Sequence, residues 1–175
     1  GRPGLVTLEK LSARLGPLLL GLAKGQTAGL SLSTPVQAAY SGTSIDIPSL
    51  SMDILPAGRL ELEGAFAPSR LKSHFLLTGV DLAKYRPFVP SMPAGLVDMQ
   101  ADFKGTPYAP SGNFKFNLKE ILVPGTHLDA FDAELSGSLG MKGKRRMLEA
   151  KLDLPEKTLK ALRLERFAFE AQVPF

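Results

Sequence analysis

The chain has 175 residues, 44% of them hydrophobic and 22% charged, with a formal net charge of +4; that balance belongs to chains that fold rather than to disordered ones. With no Cys and two His, thiol nucleophiles, disulfide scaffolds and Cys- or His-rich metal centres are excluded within it. The longest apolar stretch, residues 15–23, is about half of what a bilayer span of ~20 residues needs and is broken by Pro17, so no membrane-crossing helix is expected.

Residues 1–28 form a Leu-rich segment of their own. Leu5, Leu8, Leu11, Leu15, Leu18 and Leu22 recur at spacings of three and four, which lines them up on one helical face. Gly16-Pro17 must break or kink such a helix, and two short strands joined by a Gly-Pro turn are the alternative.

From Gly29 the period changes to two, and residues 29–175 read as one continuous unit. Ile45 and Ile47, then Leu50, Met52 and Ile54, flank an interruption at Pro48. Leu60 and Leu62 alternate with Arg59, Glu61 and Glu63; Leu71, Ser73, Phe75 and Leu77 alternate with Lys72 and His74. Asp81 is a good N-cap for a short helix that Pro87 cuts off. Val97, Met99, Ala101 and Phe103 then alternate with Asp98, Gln100, Asp102 and Lys104, and Phe114, Phe116 and Leu118 with Lys115, Asn117 and Lys119. The same rhythm continues through Phe131–Leu135, Leu148–Leu154 and Leu162–Leu164, then slips by one residue into Phe167, Phe169, Ala171 and Val173, as a β-bulge would make it do. Successive strand side chains face opposite ways, so each run is a half-buried strand. About eight such runs separated by Gly/Pro/Ser turns predict a mostly β, antiparallel meander with one apolar and one wet face. Pro56-Ala-Gly58 and Pro93-Ala-Gly95 each open one of these strands, 37 residues apart, a weak repeat suited to an elongated sheet that grows by hairpins.

Little in this pattern points to catalysis. The carboxylate pairs Glu61/Glu63, Asp98/Asp102 and Asp132/Glu134 share the polar phase of a strand and read as a solvated face, without the apolar pocket an acid–base pair requires. His74 and His127 fall among polar or turn positions, and no phosphate loop, nucleophile elbow or metal-ligand spacing is present. The chain is therefore read as non-enzymatic, with no cofactor and no metal. Lys142, Lys144, Arg145 and Arg146 form a basic cluster, read as a solvated hairpin turn or as a contact for anionic head groups. No aromatic residues interleave with it, so nucleic acid is not expected as a partner.

The apolar phase has two readings. Two such faces packed together make a closed β-sandwich. A single curled sheet instead leaves an open trough, lined by Leu60, Leu62, Phe75, Leu77, Val97, Met99, Phe103, Phe114, Phe116, Phe131, Leu152 and Phe169. Removing a methylene from water gains about 0.8 kcal/mol, so a chain of roughly 16 carbons in a dry trough would gain about 10 kcal/mol gross.

Several phrases carry a family resemblance. Ser44–Ile54 leads into Pro56-Ala-Gly-Arg-Leu-Glu-Leu-Glu-Gly64; Phe75–Pro90 follows, with its Asp81-Leu82 turn; and Ala94-Gly-Leu-Val-Asp-Met-Gln-Ala-Asp-Phe-Lys-Gly-Thr-Pro107 runs on to Pro110-Ser-Gly112. This succession, over about residues 29–155, resembles the AsmA-like superfamily and its TamB-type members. The resemblance implies a β-taco or half-pipe groove with one or two short helices, as a slice of a longer bridge tethered to the inner membrane and crossing the periplasm. It implies phospholipid acyl chains as cargo, moving between inner and outer membrane. It also implies an outer-membrane assembly partner or barrel protein, whose assembly such a module would assist; open sheet edges can pair with an incoming strand. No catalytic residues come with it.

Overall fold

The computed structural model describes residues 4–10, 12–15, 28–127, 129–142, 145–161 and 169–174. They form one antiparallel sheet that does not close, and they are mostly strand. The strands are β1 (Gly4–Leu8), β2 (Ser12–Leu15), β3 (Ala28–Leu32), β4 (Val36–Ser41), β5 (Ser44–Leu55), β6 (Arg59–Ala67), β7 (Arg70–Asp81), β8 (Ala94–Thr106), β9 (Ala109–Leu122), β10 (Phe131–Lys142), β11 (Arg145–Asp153) and β12 (Phe169–Pro174). From β4 to β12 each pairs with the next in sequence, as a meander must. At the other end the sheet forks. β4 takes one end of β5 and pairs with β1, while β3 takes the other end of β5 and pairs with β2.

The N-terminal segment therefore forms the strands Gly4–Leu8 and Ser12–Leu15, and no helix among its described residues. Leu5, Val6 and Leu8 gain a backbone ladder on β4 in place of a helical stripe; Gly16-Pro17 and the rest of 16–27 lie outside the described residues. The alternating run at Leu162–Leu164 and the slip before Phe169 also lie outside them. Just before that run, residues Glu156–Ala161 form a short helix, α1, which the alternation did not reveal. The closed-sandwich alternative fails because the described strands belong to a single sheet and, among the described residues, no second sheet faces it.

The turn expected at Asp81 is a 3-10 helix, Leu82–Tyr85, in which the Asp81 carboxylate accepts the Ala83 N–H at 3.0 Å. Tyr85 anchors it to the β5–β6 turn by donating to the Ala57 carbonyl at 2.7 Å, and burial raises the pKa of this phenol. At the same rim, Thr158 of α1 is 1% exposed and holds β10 twice. Its hydroxyl accepts the Asp132 N–H at 2.8 Å and donates to the Asp132 carbonyl at 2.6 Å.

Among the described residues three bulges interrupt the ladders, each an extra residue that bends and further twists the strand. One lies between Ile47 and Leu50, at the Pro48 interruption that the sequence shows. The others lie between Leu77 and Val80 on β7 and between Leu118 and Ile121 on β9. The 37-residue repeat is visible here as geometry. Gly58 and Gly95, which open β6 and β8, have φ of 134° and 128°, a region that favours glycine. A methyl group on Gly58 would strike Val80, and one on Gly95 would strike Ile121, the residue just after the bulge in each hairpin.

Candidate functional site: an uncovered apolar face

Strand register turns the separate alternations into rows that run across the sheet. Met52, Leu60, Leu77, Met99, Phe116, Leu135, Leu152 and Phe169 are successive partners from β5 to β12. At about 4.8 Å per strand spacing, such a row runs roughly 30–35 Å. The next row is Leu50, Leu62, Phe75, Ala101, Phe114, Gly137, Ala150 and Ala171. On one flank a shorter row holds Val80, Val97, Leu118 and Ala133; on the other Phe103 sits between Ser73 and Gly112. The bulge keeps Phe131 in phase with Ala133, opposite Ile121. All twelve residues expected to line a trough thus occupy register positions of one face. Phe169 is placed by its backbone alone.

This face has little above it. Among the described residues only Val36, Ala101, Ile121 and Ala133 are apolar and fully buried. The Leu, Phe, Met and Val side chains of the rows from β5 to β10 are half-buried; they shelter one another but have no second layer. A sheet closed onto a partner would bury them in contact with six or more residues each.

Glycines flatten the floor. Gly137 is the register partner of Phe114, and the Phe114 ring lies where a Gly137 side chain would stand. Phe103 covers Gly112 in the same way on the neighbouring strand. Rings laid over glycines cover bare backbone and leave less of each ring projecting from the floor. Phe114 and Phe116 meet edge-to-face with centroids 6.0 Å apart.

The opposite face is wet and cross-linked by charge. Arg59 pairs with Glu61 at 3.0 Å, Lys115 with Glu134 at 2.8 Å, Lys119 with Asp98 at 3.1 Å, and Lys151 with Asp153 at 2.9 Å. The carboxylates read from the sequence as a solvated face are placed there. Asp98 is tuned: the Gly79 N–H holds its carboxyl below the usual range, Lys119 adds to this and partial burial opposes it. His74 donates to Asp102 at 2.7 Å; His127 lies in the loop after β9, away from any strand. No cluster of three potential metal ligands occurs among the described residues, and none of their helices is long and apolar enough to cross a membrane.

Of the basic cluster, Lys142 pairs with Arg145 and Met141 with Arg146, so β10 and β11 form the expected hairpin. Lys144 and the side chains of the other three lie outside the described residues. Leu50, Met52, Leu118 and Leu135 belong to the apolar rows as fully as the expected residues. Their alternation was visible in the sequence, but only register shows which residues become neighbours. No family model matches the chain, and neither a curated protein nor a solved structure matches it.

Proposed function

We infer that this chain is a non-enzymatic segment that shields phospholipid acyl chains from water along its apolar face while they move. The observation that carries this reading is the pair of eight-strand rows with no covering layer among the described residues. Exposed contiguous apolar surface of this extent marks a binding surface in a folded protein. Each methylene withdrawn from water onto it contributes about 0.8 kcal/mol, and the attraction has no directional component, so a chain can slide between equivalent positions. The charged face keeps the segment in water. The resemblance to AsmA-like proteins supplies the setting, passage across the periplasm between inner and outer membrane.

The test is Leu62→Arg combined with Phe116→Arg, one substitution in each long row. Both side chains are half-buried rather than core, so the double variant is expected to keep its β circular dichroism and lose lipid loading. Undiminished loading contradicts the reading.

A second reading, assistance to barrel-protein assembly by strand addition, draws on β1. Leu5 is 63% and Val6 53% exposed on a strand with one edge unpaired among the described residues, and such an edge accepts an incoming strand. Crosslinks from β1 to a nascent barrel strand, with no lipid recovered, would favour it.

A further inference from the structure

On the charged face, β5 to β9 enclose a cleft of about 480 Å³ near the strand ends. Lys72 and Lys104 are direct register partners on β7 and β8 and rise side by side into it. Like charges placed opposite each other destabilise a sheet. Their outer register partners are Ala65 and Ser111, which offer no compensating carboxylate. Arg70, two residues before Lys72, lines the same cleft. The four other strand cations whose side chains are described on β6 to β11 each have a carboxylate within 3.1 Å. Only these three do not, and all three converge on one cavity.

The other wall is acidic and hydrogen-bonding. Glu63, His74, Asp102 and Asn113 form the next same-face row, two residues along each strand or about 7 Å away. Asp102 accepts the 2.7 Å bond from His74. Asp46, the partner of Ala65 in the lysines' row, also lines the cleft but forms no ion pair with any of the three cations; the cleft is therefore bipolar, with three cations and one carboxylate at one end and hydroxyl acceptors and an amide at the other.

We propose that this cleft is a binding site for a phosphate ester of a small polyol, the phosphate held by Lys72, Lys104 and Arg70 and the hydroxyls by the Glu63–Asp102 row. A phosphate offers charge-assisted acceptors to all three cations and removes the repulsion between the two lysines. The volume exceeds what inorganic phosphate alone would fill. A lipid head group and a soluble sugar or glycerol phosphate share this chemistry. The site lies on the face opposite the apolar rows and does not rest on the lipid reading.

Isothermal titration calorimetry of the folded chain with glycerol 3-phosphate, inorganic phosphate, glycerol and a short-chain phosphatidylglycerol below its micellar concentration tests this. Glycerol 3-phosphate binds saturably, inorganic phosphate competes more weakly, and glycerol alone does not bind. Competition by the short-chain lipid identifies a head-group source; its failure to compete identifies a soluble one. Lys104→Glu gives Lys72 an opposite-charge partner, so it raises the melting temperature while weakening glycerol 3-phosphate by about tenfold or more, the loss of at least one charge-assisted hydrogen bond. Lys115→Ala, on the same face outside the cleft, binds as the wild type does. If Lys104→Glu fails to fold, the Lys72→Gln/Lys104→Gln variant carries the same expectation for affinity. Absence of saturable binding by every phosphate probe, or equal weakening by Lys104→Glu and Lys115→Ala, overturns the proposal.

Discussion

The backbone N–H of Gly79, freed from the ladder by the β7 bulge, donates to the Asp98 carboxylate on β8 at 2.8 Å. Asp98 directly follows Val97, the register partner of the first residue past the bulge. The β9 bulge is closed in the same way: the Glu120 N–H donates at 2.7 Å to Asp132, which directly follows Phe131, the partner of Ile121. Two bulges, each closed by an aspartate at the same relative position, therefore set where the sheet bends.

Asp98→Ala is expected to cost about 1–3 kcal/mol, the range for a hydrogen bond to a charged group, read as a shift in urea midpoint. The charge also has a pH signature. The folded carboxyl is held below its ordinary value of ~3.9. The contribution is thus whole above that value and is lost as pH falls through the lower folded pKa. Asp98→Asn should flatten this acid limb, and an acid limb identical to the wild type's would contradict the assignment.

Glu120 has a φ of 53°, in the left-handed region where a non-glycine residue is strained, and it is exposed. Glu120→Gly should stabilise the chain by up to about 1 kcal/mol, whereas Gly79→Ala at the matching bulge (φ 65°) should destabilise it by about 1 kcal/mol. Thermal melts of the two variants should move in opposite directions.

Gly137→Ala would place a methyl group against the Phe114 ring and the Glu149 carbonyl. A cost of about 1–3 kcal/mol is expected from this overpacking. Adding Phe114→Leu should recover part of it, and denaturation of the double variant checks the coupling.

Thr158→Val removes both bonds to the Asp132 backbone from a site 1% exposed. It should cost about 1–3 kcal/mol, and Thr158→Ser, which keeps the hydroxyl, clearly less. Amide exchange at Asp132 should speed up in the first variant and not in the second.

The apolar face was legible because burial of one side imposes a period of two, and Phe114–Leu118 or Val97–Phe103 carry that period without interruption. Pro48 likewise marked an interruption of the period, which the β5 bulge explains. Asp98 and Asp132 were not legible as bulge caps, since each looks like any other polar-phase residue until register brings a free N–H beside it. Leu5 and Leu8 were misleading, because spacings of three and four suit a helix while the β4 ladder decides the outcome. The Lys72–Lys104 pairing, 32 residues apart in sequence, could be seen only once β7 and β8 were aligned.

A phospholipid carrying a photoactivatable acyl chain, crosslinked to the folded chain and mapped by mass spectrometry, tests whether acyl chains lie on the apolar face. Adducts are expected on Leu77, Met99, Phe116 and Leu135 of one row and not on Gln100, Lys115 or Ser136, which form a row on the other face. Adducts spread equally over both faces, or none at all, would contradict it.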